Sequence, residues 1–170
     1  MFAVIKMKLP KRKPTRLKNY DYSQNGYYFV TICTHNKKCI FSNIVGQGLA
    51  PAEIQLTEFG KIANTEITDL ENRYKNIKID KYVIMPNHIH AIIVIQNKTA
   101  GASPCPTLSD IICTFKSITT HKCHNIKSNQ KIWQRSFHDH IIRDENDYLK
   151  IWNYIDTNPQ KWNEDCFYTE

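Results

Sequence analysis

No run in this sequence approaches the ~20 consecutive apolar residues that a membrane-spanning helix needs. The apolar stretch within Met1 to Pro10 is also too short for a secretory signal, so a cytoplasmic protein with no membrane partner is expected. Cys-x-x-Cys pairs are missing as well. The six cysteines (Cys33, Cys39, Cys105, Cys113, Cys123, Cys166) therefore read as reduced and mostly structural, and the His121, Cys123, His124 group lacks the second ligand pair of a structural zinc site. Acidic residues are absent from the first twenty positions, where Lys6, Lys8, Lys11, Arg12, Lys13, Arg16 and Lys18 all occur. No internal repeat divides the 170 residues. The length suits one domain, read as a basic arm over 1–20, a single domain over 21–165 and a short tail over 166–170.

A net charge of +7 with a pI near 9.1 favours a polyanionic partner and leaves the fold open. Pro10 and Pro14 oppose helix in the arm, which reads either as a solvated tail or as a segment lying on a phosphate backbone, with salt-sensitive binding. Beyond it, Gly26 to Thr34 (GYYFVTICT) has the aromatic and β-branched content of a strand. Residues Asn43 to Glu53, with Gly46, Gly48 and Pro51, read as loop. Thr57 caps a helix running to about Tyr74, and Thr107 or Ser109 opens a second through Ile118, leaving Lys116 and Lys122 for solvent or phosphate. Lys131 to Arg143 reads as one or two short strands. Asp144 caps a last helix that begins near Glu145 and stops at Asn158-Pro159. The order β, α, β-hairpin, α, β, α predicts an α+β fold, an antiparallel sheet backed by helices.

The most apolar stretch is Lys81 to Ile95 (KYVIMPNHIHAIIVI). Pro86-Asn87 is a turn signal that splits it into a hairpin, roughly Ile77 to Met85 and His88 to Ile95. Side chains alternate along a strand, so His88 and His90 project from one face. By spacing alone they are satisfied strand histidines or a metal pair. On the last helix Tyr154 and Asn158 are four apart and share a face. Taken alone, Tyr154 reads as a packed core tyrosine before it reads as a nucleophile. Brought across the sheet face of the histidines, this helix would add a hydroxyl nucleophile and an amide oxygen. Two imidazoles and one amide oxygen suit Mg²⁺ or Mn²⁺ with positions open for phosphate, the arrangement that phosphodiester cleavage requires. A phenol near pKa ~10 needs help to attack at neutral pH, from the metal or from a cation such as Lys150 one turn earlier.

Met85-Pro-Asn-His-Ile-His90 resembles the HUH motif (His, bulky hydrophobe, His) of single-tyrosine transposases. Agreement extends to Leu17 to Tyr22, Leu108 to Ile112 with Phe115 to Ser117, Trp133 to His140 with Ile142-Arg143, and Tyr154-Ile-Asp-Thr-Asn-Pro159. Together these resemble the REP-associated tyrosine transposases over about residues 15 to 162. The resemblance implies a ferredoxin-like HUH core, a divalent metal held by His88, His90 and Asn158, and Tyr154 as the nucleophile that forms a 5′-phosphotyrosine. It implies single-stranded or hairpin DNA as partner and either a monomer or a homodimer. Lys11, Arg12, Lys13, Arg16, Lys18, Lys116, Arg135, His140, Arg143 and Lys150 are the candidate DNA contacts, with Tyr27, Tyr28 and Trp133 as candidate stacking surfaces. An HUH replication or relaxase nickase, which usually carries a third histidine, and a non-catalytic nucleic-acid-binding regulator are the alternatives.

Overall fold

The computed structural model describes residues 16–46, 52–97 and 105–169, so Lys11, Arg12 and Lys13 and most of the basic arm lie outside the described residues. Its elements are β1 (Gly26–Cys33), a 3-10 turn (His35–Lys37), β2 (Ser42–Val45), β3 (Glu53–Leu56), α1 (Glu58–Arg73), β4 (Ile77–Ile84), β5 (His88–Ile95), α2 (Leu108–His124), β6 (His138–Ile142), α3 (Glu145–Thr157) and a 3-10 stretch (Asn158–Glu164). The main sheet is antiparallel throughout, in the order β4-β5-β1-β6. β1 and β4 run the same way on either side of β5, with α1 in the connection. With α2 leading from β5 to β6, this is the ferredoxin-like β-α-β-β-α-β arrangement: the element order predicted the antiparallel sheet backed by helices, and the resemblance implied the ferredoxin-like core.

Alternation along the central strands builds two cores. Tyr28, Val30 and Ile32 of β1, with Ile89, Ala91, Ile93 and Ile95 of β5, pack on Ala63, Ile67 and Leu70 of α1 and on Ile111, Ile112 and Phe115 of α2. Each fully buried isoleucine contributes on the order of 1.5–3 kcal/mol. The opposite face of β5 presents His88, His90, Ile92 and Val94. There Ile92, Val94 and Val83 meet Ile155 of α3 and Trp162, with Phe29, Ile142, Tyr148 and Ile151 at the margin. A strand buried on both faces reads as a nearly continuous apolar run, which explains why Lys81 to Ile95 stands out in the sequence.

Helix ends follow their capping chemistry. Thr57 accepts from the Gly60 amide, Thr107 and Asp110 form a reciprocal capping box, and Asp144 accepts from the Asp147 amide. Two expectations change. The segment read as loop carries a small hairpin, β2 paired with β3, and Ile44 and Ile54 extend the second core. Pro159 ends the α-helix but not the coil: it sits at the start of the 3-10 stretch, which turns the chain back toward the sheet. The missing amide proton of proline costs nothing in a first turn.

Candidate active site

The site lies on the α3 face of the sheet. His88 and His90 are fully buried, with ring centroids 4.4 Å apart. Burial, reinforced by Lys37, pushes His88 down to about 3. His90 also lies well below the ordinary imidazole value, through burial first and His88 second. Both rings are therefore neutral near pH 7, the form that ligates metals. His90 Nδ1 is 2.9 Å from the hydroxyl of Thr31, its direct partner across the β1–β5 ladder. His88 Nδ1 is 2.8 Å from Asn87 Oδ1.

α3 delivers Tyr154 and the turn after it delivers Asn158. The Tyr154 hydroxyl is 3.2 Å from His90 Nε2 and donates to Asp165 Oδ2 at 3.4 Å, while its residue stays 39% exposed. Burial of the hydroxyl, and then the Asp165 charge, raise its pKa above the ordinary tyrosine value. Asn158 Nδ2 donates to Asp165 Oδ2 at 2.6 Å. Asp165, whose side chain is 1% exposed, lies 4.0 Å from His88 Nε2, and its Oδ1 accepts from the Phe167 amide at 2.6 Å. With His88 neutral, that 4.0 Å approach is not an ion pair. The Phe167 ring then closes over His88 at 4.7 Å between centroids.

His88, His90 and Asp165 each offer a ligand atom, all within 4.8 Å of one another. His88 Nε2 and Asn158 Oδ1 are buried atoms with no hydrogen-bond partner. Two orphaned acceptors beside a carboxylate form a cradle that a divalent cation fits, since each such atom otherwise carries its desolvation cost unrelieved. Asp165 is the member that sequence reasoning missed: no motif spacing marks it, and only the continuation beyond Pro159 brings it here. A cavity of about 450 Å³ opens beside Tyr154, lined by Lys150, Asn153, Thr157, Lys161 and Cys166 among others.

The remaining candidates disperse. Arg16 pairs with Asp139 at 3.2 Å, bonds Ser109 and sits 4.1 Å above the Phe137 ring, which fixes the end of the arm to the domain. Lys116 donates to the carbonyls of Gln134 and Ser136 at 2.8 and 2.7 Å, and burial pushes its pKa down to about 8. It braces the loop on which Arg135 is exposed. His140 joins β6 to α3 through Asp147 at 2.7 Å. Arg143 lines a second cavity of about 410 Å³ with Tyr27 and Tyr148, and Lys18 is exposed. Tyr28 is fully buried in the first core and offers no face to a base, whereas Trp133 is partly buried and packs on that core against Phe41 and Phe115. Tyr148 donates to Asp80 at 2.6 Å, away from the histidines.

No family model matches the chain. An uncharacterised protein of Haemophilus influenzae is 34% identical over 174 residues, covering 94% of each chain. The solved structure of the REP-associated tyrosine transposase bound to a REP hairpin superposes with a TM-score of 0.62 at 22% identity, covering 86% of this chain and 73% of that one. The fold that the motif resemblance implied is thus the fold observed. The chain belongs to one family with the H. influenzae protein and is built on the fold of the REP-associated tyrosine transposase.

Proposed function

We propose that this protein is a transposase-type, metal-dependent single-stranded DNA endonuclease and strand transferase. One observation carries the reading: a half-exposed phenol, Tyr154, stands 3.2 Å from an imidazole of a buried His88, His90, Asp165 set. His88, His90, Asn158 and Asp165 would hold the cation. When bound there, Mg²⁺ or Mn²⁺ supplies Lewis-acid polarisation of a phosphodiester and offsets charge that develops on it.

The chain's own residues supply the rest. Tyr154 attacks phosphorus as its proton passes to Asp165, to which its hydroxyl donates; the bond to the 3′ oxygen breaks and that oxygen takes the proton up, leaving a free 3′ hydroxyl and a 5′-phosphotyrosine. Attack by a 3′ hydroxyl on that linkage reverses the step and releases Tyr154, so strands rejoin without ATP. Lys150 and Lys161 line the Tyr154 cavity and would meet the phosphate backbone there. The hydroxyl of Tyr154 faces the histidines of its own chain, which supports action within one protomer. The solved relative by fold is bound to a REP hairpin, which supports hairpin-flanked single strands as substrate. The arm over 1–20 and the domain over 21–165 are read as one nuclease unit.

The test is incubation with labelled hairpin-flanked single strands and Mn²⁺, followed by denaturing electrophoresis. A protein–DNA adduct is expected from the wild type and none from Tyr154→Phe, with binding retained. An adduct that survives in Tyr154→Phe, or none from the wild type on any hairpin substrate, defeats the reading.

A further inference from the structure

Asn87 is fully buried between the β4–β5 turn and the C-terminal segment. Its Nδ2 donates to the carbonyls of Lys37 at 3.2 Å and Phe167 at 2.8 Å, and lies 3.3 Å from Thr169 Oγ1. Flipping the amide would aim its oxygen at two carbonyl oxygens and take from the Phe167 carbonyl the donor it has in Asn87, so the orientation is fixed by the inventory of donors. The oxygen that remains faces His88 Nδ1 at 2.8 Å and has no proton to give. The imidazole must therefore donate from Nδ1.

The consequence falls on the other ring nitrogen. A proton on His88 Nε2 would be a buried donor without an acceptor, since Asp165 Oδ2 is 4.0 Å away. Nε2 is left as a bare lone pair. Thr31 sets no such rule for His90, because a hydroxyl donates or accepts equally well.

We propose that Asn87 is a positioning residue that locks His88 in the Nδ1–H tautomer, presenting Nε2 as a formed ligand before any cation arrives. Because the same amide holds the Phe167 carbonyl, the tautomer is tied to the seating of residues 167–169 over the site. The role of Nε2 toward a cation rests on the nuclease reading; the tautomer itself does not.

The experiment is a long-range ¹H–¹⁵N correlation of the histidine rings in the metal-free full chain, with Mn²⁺ titration by calorimetry. The wild type is expected to show His88 protonated on Nδ1 alone. Asn87→Leu removes the acceptor and should move the proton to Nε2 and weaken Mn²⁺ binding about 10- to 100-fold. A wild-type spectrum with the proton on Nε2 overturns the proposal even where Asn87→Leu does not fold. So does a folded Asn87→Leu with unchanged tautomer and affinity. Absence of any tyrosyl–DNA adduct alongside the Nδ1–H tautomer would retire the nuclease and leave the lock in place.

Discussion

His88 enters the folded state uncharged, and that has a measurable cost in acid. Its folded pKa is pushed from 6.5 down to about 3. Between these values the unfolded chain binds the proton and the folded one refuses it, so stability is complete above pH 6.5 and is lost as pH falls toward 3. By pH 5 one such histidine removes about 2 kcal/mol, and His90 acts in the same direction. Thermal melts of the metal-free protein should fall from pH 7 to pH 5, with a shallower slope in His88→Gln; a flat profile would mean that the imidazoles are hydrated or already charged. Asp165→Asn makes a second residue-scale case. It removes the negative charge beside Tyr154 while keeping a hydrogen-bonding side chain, so the phenol should titrate at lower pH by ultraviolet difference spectroscopy, and Mn²⁺ affinity should drop by at least about tenfold. An unmoved phenol titration would sever Asp165 from Tyr154.

At the scale of elements, the hairpin that holds the histidines is set from behind by α1. A Cβ added to Gly60 would stand 1.9 Å from the Phe41 carbonyl oxygen, and the amides of Ile40 and Phe41 both bond the Pro86 carbonyl at the turn before His88. Gly60→Ala gains at most about 1 kcal/mol of helix propensity against about 1–3 kcal/mol of overpacking, so the clash wins. Lower thermal stability and weaker Mn²⁺ binding are expected together; a stabilised variant would show that α1 slides freely. The same elements show what was legible beforehand. β5 announced itself because a strand buried on both faces is continuously apolar, and His88 and His90 followed from period two. Tyr154 and Asn158 followed from helical spacing and motif. The β2–β3 hairpin was hidden by Gly46, Gly48 and Pro51, whose local signals say loop whatever flanks them. Asp165 was invisible because its role depends on a chain reversal after Pro159 that no periodicity encodes. Arg16 and Lys116, plausible phosphate contacts as isolated charges, are spent inside the fold on Asp139 and on two carbonyls.

Over the whole molecule, the charge of +7 is not uniformly available to a polyanion. Cations held by internal partners release no counterions when DNA arrives, whereas exposed ones do. Lys150 and Lys161 are exposed beside the Tyr154 cavity. For single strands, log K falls with log salt by roughly 0.7 per phosphate neutralised. Replacing both lysines with alanine should therefore reduce the salt slope for a hairpin-flanked single strand by about 1.4 and weaken binding most at low salt. Arg16→Ala, by contrast, should leave that slope unchanged while lowering the melting temperature, because what it loses is the Asp139 pair and the packing on Phe137. Fluorescence anisotropy across a salt series separates the two groups. If Arg16→Ala flattened the slope and the lysine pair did not, the strand would cross the sheet at the Arg16 end, and the cavity beside Tyr154 would lose its place as the path of the backbone.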